Sequence, residues 1–294
     1  MWSRITRRLA RSHLRPRDEL IARLTAERDQ ARARIAEFER DRQLGYVFVV
    51  TYGRSGSTLV QGILNSIPGY LIRGENRQIL RHVWAYDATG VAERRVQRRK
   101  QRLRGAEEGT SDTTSPLFGM DNYAHRAALR FARKLAVATI LRPEPDTRVT
   151  GFKEILWGEP DTPEFVAWLR EVFPEARFVV NTRDLSSVSR SAWWGDDPAA
   201  LMELREREAM LLRLRDELGD AAYHIVYDEF IADPTVLRGL FAWLGEPFDE
   251  EAVRGVLGVH HSFRPRRERG GAREDGSEDG EDPDEDDAAA EIAN

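Results

Sequence analysis

The apolar positions fall into two kinds of run. Tyr46–Val50 (YVFVV) is continuous and rich in β-branched residues, the pattern of a parallel strand buried on both faces. From Thr58 the spacing changes. Leu59, Val60, Ile63 and Leu64 share one face of a helix until Pro68–Gly69 stops it. Val149–Ile155, Arg177–Thr182 and Tyr223–Val226 predict further short strands, with helical stretches between them. Strands alternating with helices specify a parallel sheet covered on both faces, hence an α/β fold of three layers, α/β/α.

The flanks break this pattern. Met1–Arg17 holds six arginines and no acid, with Trp2, Ile5, Leu9 and Leu14 interleaved. As a helix it is basic and loosely amphipathic, suited to peripheral contact with a membrane or to an anionic partner; the plain alternative is a poorly ordered basic tail. Asp18–Gln43 reads as a helix with Ile21, Leu24, Ala31, Ile35 and Phe38 near heptad positions, and Arg28 spoils the seam. That suits a helix packed on the domain or a short homodimer contact. Ala92–Arg104 (AERRVQRRKQRLR) predicts a charged helix inserted in the domain, followed by a polar loop to Ser115. Beyond Arg269 the chain is Gly/Asp/Glu-rich and too poor in apolar residues to order itself. The expected organisation is a basic helical extension over 1–44, a globular domain over 45–268 and a disordered acidic tail over 269–294.

Charge sharpens that division. The 294 residues carry 45 Lys+Arg against 50 Asp+Glu, a net charge of -5. Residues 270–294 alone contribute eleven acids and one arginine, so the body ahead of them is net basic. The absence of cysteine excludes disulfides, thiolate metal sites and thiol nucleophiles. No apolar stretch approaches the length of a membrane span or of a secretory signal core, so a cytoplasmic protein is expected, with no nucleic-acid partner.

Gly53-Arg54-Ser55-Gly56-Ser57-Thr58 lies between a predicted buried strand and a predicted helix. Glycines let such a loop turn its amides inward, the helix start adds partial positive charge, and the hydroxyls of Ser55, Ser57 and Thr58 add donors. The result is a cradle for a phosphate-like anion, P-loop-like in placement. It lacks the spacing and lysine of a Walker A loop, and Arg54 supplies the cationic fork instead. Far downstream, NTRDLSSVSRS places Arg183 at the end of a strand and Ser191 eight residues later on the next helix, where a guanidinium and a hydroxyl two helical turns on can clamp one phosphate.

YGRSGSTL resembles the 5′-phosphosulfate loop of the sulfotransferases that use 3′-phosphoadenosine 5′-phosphosulfate (PAPS), whose bacterial, tyrosylprotein and carbohydrate branches also place Arg in this loop. Arg183 and Ser191 match the spacing of that family's 3′-phosphate site, and Tyr227–Asp249 (YDEFIADPTVLRGLFAWLGEPFD) is similar to its later conserved-type segment, with Asp-Glu-Phe in place of Glu-Asp-Leu. The resemblance spans Tyr46–Asp249. It implies transfer of a sulfonate group from PAPS, without a metal, to a hydroxyl on a glycan, a lipid-linked molecule or a small metabolite. It also implies that Tyr227 lies by the adenine, and that Arg264, in a poorly matching HHSFRPRR stretch, closes over the nucleotide. A Glu just beyond the loop's helix serves as base in several members, which points to Glu75, with Arg73 as a neighbour able to hold its carboxylate or the substrate. His82 is the alternative base, since cytosolic members use a histidine. Lys153, one of three lysines against 42 arginines, interrupts an otherwise buried strand. A buried ammonium needs a pocket anion, and the resemblance, in which related enzymes carry a Lys on the corresponding strand facing the sulfonate, implies that Lys153 stabilises the transferring group or the acceptor.

Other residues read as scaffold. Phe241, Trp243 and Leu244 suit a core, at least one of Trp193 and Trp194 does too, and His260–His261 lacks a cluster able to hold a metal. Two rival functions are a kinase or NTPase, which would need a loop lysine and a Walker B Asp, and a catalytically dead scaffold, in which the charged ends recruit partners.

Overall fold

The computed structural model describes residues 20–30, 32, 44–103, 105, 113–191, 194 and 199–258. Five strands form one sheet: β1 (Gly45–Val50), β2 (Tyr70–Arg73), β3 (Val149–Glu154), β4 (Arg177–Thr182) and β5 (Ala222–Val226). Their order is β2-β3-β1-β4-β5, and every neighbouring pair is parallel. The sequence expectation of a three-layer α/β/α fold with a central parallel sheet holds.

The crossover helices are α1 (Ser57–Asn65), α2 (Leu80–Leu103), α3 (His125–Ala136), α4 (Thr162–Val172), α5 (Leu185–Ser189) and α6 (Ala200–Leu218), followed by α7 (Tyr227–Ala232), α8 (Arg238–Leu244) and α9 (Glu250–Leu257). Two apolar clusters lie against the sheet, as a strand buried on both faces requires. Phe48, Phe152 and Phe178 pack with Phe165 and Leu169 of α4 and Leu204 and Leu211 of α6. Val47, Val49 and Val179 pack with Val60 and Ile63 of α1 and with Leu240 and Phe241 of α8. Phe241 and Leu244 are buried, and Trp243 packs against their cluster.

β1 sits at the centre, with β3 and β4 on opposite sides. The connection therefore reverses direction at β1, and the crevice this leaves opens at the carboxyl ends of the strands. The register aligns those ends: Val50 is beside Glu154 and Val180, Arg73 beside Phe152, and Thr182 beside Val226. β3 presses close to β1 at Gly151, where an added Cβ would lie 1.6 Å from the Val47 carbonyl oxygen.

Three local readings change. β2 is a strand that the pattern did not announce, because four residues directly after a Pro-Gly turn are too few to show a period. Of the charged helix predicted from Ala92, residues 92–103 are the second half of α2, which starts at Leu80. The helix after β4 ends at Ser189, so Ser191 stands in the turn beyond it. Residues 20–30 are helical, with Leu20, Ile21 and Leu24 about half exposed. Met1–Arg17, the rest of the heptad stretch, the acidic tail, Arg264 and His260–His261 lie outside the described residues.

Candidate active site

The loop after β1 turns on two left-handed residues, Arg54 (φ 67°) and Gly56 (φ 80°). Gly56 is required twice over: its φ suits glycine, and a Cβ there would lie 2.1 Å from the Tyr227 ring. Gly56 is also the N-cap of α1 and offers no side chain, so the first amides of that helix are left for another acceptor. The loop is braced from below. Thr51 Oγ1 donates to the Asn181 carbonyl (2.7 Å) and lies 2.7 Å from Ser55 Oγ, while Asn181 Nδ2 donates to the Ser55 carbonyl (3.0 Å). The buried Ser55 hydroxyl is thus spent on the scaffold and is not the free donor that the sequence suggested. Arg54 is exposed, as is Thr58, and Ser57 is buried at the start of α1.

Arg183 follows β4 directly and joins this loop. Its Nη1 donates to the Arg54 carbonyl (3.0 Å), and its guanidinium carbon lies 4.4 Å from the centre of the Tyr227 ring. Tyr52 sets the spacing of the two segments. Its hydroxyl accepts the Arg183 N–H (2.9 Å) and lies 2.9 Å from Glu208 Oε1. Burial, with Glu208 adding to it, pushes the Tyr52 phenol far above its ordinary range and keeps it protonated. Asp184, the N-cap of α5, accepts from the Ser187 hydroxyl (2.8 Å) and from the Ser187 N–H (2.8 Å), and these bonds, the hydroxyl's first, hold its carboxyl below the usual range. Ser191 closes the group through its neighbour Trp194, which packs on the core and whose indole N–H points to the Gly53 carbonyl (3.4 Å). Two polar atoms here, Arg183 Nε and Ser191 Oγ, are buried with no hydrogen-bond partner among the described residues.

Glu75 and Lys153 form the second half of the site. The Lys153 side chain is 7% exposed and its ammonium rests on the Glu75 carboxylate, whose side chain is 40% exposed. Arg73 does not hold Glu75. Its guanidinium donates to the carbonyls of Leu141 (2.9 Å) and Arg142 (2.8 Å), because the π-helical turn Val137–Leu141 brings those carbonyls to the end of β2. The anion that Lys153 meets within the protein is therefore Glu75.

Sequence reasoning passed over Glu154. Its carboxylate is fully buried and accepts four backbone N–H groups: Asn76 (3.1 Å) and Gln78 (3.0 Å) on Oε2, Ile155 (2.8 Å) and Leu156 (3.3 Å) on Oε1. The first two pin the loop that carries Glu75, including the left-handed pair Arg77 (φ 54°) and Gln78 (φ 55°). The only signal for it was a carboxylate at the end of a buried strand. His82 is exposed in the first turn of α2, facing a cleft between α2 and α3. Among the described residues no group of three or more His, Cys, Asp or Glu side chains could hold a metal, and no helix is long and apolar enough to cross a membrane.

A strand, a glycine loop and a helix start beside the Arg183 guanidinium, at the crevice of a parallel sheet, form an arrangement chemically suited to a phosphate- or sulfate-bearing ligand. The model of the sulfotransferase family matches residues 47–250, and the chain belongs to that family. Among solved structures it is similar to the sulfotransferase domain from the Synechococcus PCC 7002 olefin synthase (18% identity, TM-score 0.43, covering 72% of this chain and 76% of that one). It is also similar to the sulfotransferase domain from the curacin biosynthetic pathway (14%, 0.41, 71% and 76%) and to sulfotransferase STF9 from Mycobacterium avium (17%, 0.39, 80% and 74%). No protein of curated function matches it.

Proposed function

We propose that the protein transfers a sulfonate group from PAPS to a hydroxyl acceptor, without a metal. The observation that carries this reading is the pair of buried, unpartnered atoms, Arg183 Nε and Ser191 Oγ, beside a loop whose helix start has no side-chain cap. Buried polar atoms are rarely left unpaired, and a phosphate would satisfy both. Arg183 and Ser191 would hold the 3′-phosphate. Gly53, Arg54, Gly56, Ser57 and Thr58 would hold the 5′-phosphosulfate through amides, hydroxyls and the Arg54 fork, with Tyr227 by the adenine.

The bound donor supplies an electrophilic sulfur. Glu75 takes the proton of the acceptor hydroxyl as that oxygen bonds to sulfur and the bond from sulfur to the 5′-phosphate oxygen breaks. Lys153, already on Glu75, and Arg54 offset the charge that builds on the sulfonate and the leaving phosphate. Glu154 keeps the Glu75 loop in place. These cations do the charge neutralisation that a divalent ion performs in nucleotide triphosphate chemistry.

A thermal-shift titration tests the reading. Adenosine 3′,5′-bisphosphate should raise Tm in EDTA, by a stabilisation of about 2.7 kcal/mol at a hundred times Kd, while ATP with Mg²⁺ should not. The reverse pattern would assign the loop to a kinase or NTPase.

A further inference from the structure

We propose that Glu208 of α6 is a positioning residue for the donor's 3′-phosphate, acting through the Tyr52 hydroxyl to fix the backbone at Arg183. The proposal rests on the sulfotransfer reading above and adds a residue to that same site. The helix carries the first observation. Leu204, Leu211, Leu214 and Leu218 of α6 are buried at helical spacing and form its core stripe. Glu208, four residues after Leu204 and three before Leu211, stands on that stripe. A leucine there would extend the apolar face, whereas a carboxylate costs desolvation unless a donor meets it. Among the described residues Glu208 forms no ion pair, and its neighbour Arg207 pairs with Glu203 instead (2.5 Å). The donor that meets Glu208 is Tyr52, 2.9 Å from its Oε1.

Tyr52 is 1% exposed, and a phenylalanine ring would fill the same space. Its hydroxyl is the part the site uses. Burial keeps that hydroxyl protonated, so it has one proton and two acceptors in reach, Glu208 Oε1 at 2.9 Å and the Arg183 carbonyl at 3.0 Å. The carboxylate, being charged, takes the proton. The oxygen then turns a lone pair to Arg183, whose N–H donates to it at 2.9 Å. That bond sets how the chain leaves β4, and so where the Arg183 side chain starts.

Two further contacts complete the clamp. Arg183 Nη1 is on the Arg54 carbonyl (3.0 Å) and the guanidinium lies over the Tyr227 ring. Arg183 is thus held from three sides, and its Nε stays buried with no partner among the described residues. A side chain ordered in advance spares the ligand the cost of ordering it on binding. Without Glu208 the Tyr52 proton goes to the Arg183 carbonyl, and the hydroxyl no longer favours the N–H.

Calorimetric titration of the full-length protein tests this with adenosine 3′,5′-bisphosphate and adenosine 5′-monophosphate, which differ only in the 3′-phosphate. The parent should bind the bisphosphate about 10–150-fold more tightly, the range of a charge-assisted hydrogen bond. Glu208→Ala and Tyr52→Phe should each cut that preference by about fivefold or more, with the monophosphate Kd within about twofold of the parent's. Glu208→Gln, whose carbonyl oxygen can still take the Tyr52 proton, should restore the preference to within about twofold of the parent's. A merely structural role would weaken both nucleotides together. Glu208 is only partly buried, so Glu208→Ala with an unchanged Tm decides the matter even if Tyr52→Phe fails to fold. An undiminished preference in Glu208→Ala, or equal loss of both nucleotides, would overturn the proposal and leave the 3′-phosphate assignment standing. A parent that binds both nucleotides equally would overturn that assignment, and this proposal with it.

Discussion

Lys153 and Glu75 meet as an ion pair at the carboxyl edge of the sheet, the ammonium buried at the end of β3 and the carboxylate half-exposed on the loop after β2. Neither strand alone makes the pair. It exists because β2 and β3 are neighbours in register, with Arg73 beside Phe152.

Replacing Glu75 by Gln should lower kcat by about 10²–10⁴-fold, the usual cost of losing a general base. Affinity for adenosine 3′,5′-bisphosphate should stay at the parent value, since Glu75 holds neither phosphate in this reading. Rates with labelled PAPS, measured alongside His82→Asn, decide the base: turnover that survives Glu75→Gln and collapses in His82→Asn assigns it to His82.

Arg183→Ala should weaken adenosine 3′,5′-bisphosphate binding by about 10–150-fold, from the ~1.5–3 kcal/mol of a charge-assisted hydrogen bond. Ser191→Ala should cost less, about 2–10-fold, because its hydroxyl donates one bond to the phosphate without bringing a charge of its own. Equal binding by the parent and Arg183→Ala would remove the 3′-phosphate from this end of β4.

Glu154→Gln should act on the loop of Glu75 without touching the donor. The new amide turns an N–H₂ toward backbone N–H groups and leaves buried donors unmet, at about 1–3 kcal/mol. Urea denaturation should show that loss, and kcat should fall while the adenosine 3′,5′-bisphosphate Kd holds. An unchanged kcat in a folded variant would deny Glu154 any positioning role.

The pH dependence of stability carries one further test. Burial lowers the pKa of His224 below its ordinary 6.5, and Thr182 Oγ1 lies 2.8 Å from its Nε2. The unfolded chain therefore takes up this proton at a higher pH than the folded one. Stability from His224 is complete above 6.5 and declines as pH falls from there toward the folded pKa. His224→Gln should flatten that part of a plot of unfolding free energy against pH, and a slope identical to the parent's would reject the assignment.

Much of this architecture is legible in the chain. Continuous β-branched runs such as YVFVV mark strands buried on both faces, because only a parallel sheet under helices hides both sides of a strand. Gly53–Thr58 and Arg183 are readable as anion-binding elements because local backbone chemistry and charge suffice to suggest it. What the chain alone could not determine depends on which strands become neighbours. The order β2-β3-β1-β4-β5 brings Lys153 to Glu75 rather than leaving Glu75 with Arg73, whose guanidinium goes to two carbonyls at the end of the π-helical turn. Ser55 and Glu154 show the same division. Sequence marks a hydroxyl in a loop and a carboxylate at a strand end, but only the packed structure spends the first on Thr51 and gives the second four amide partners, because a buried polar group is satisfied by whatever the fold sets beside it.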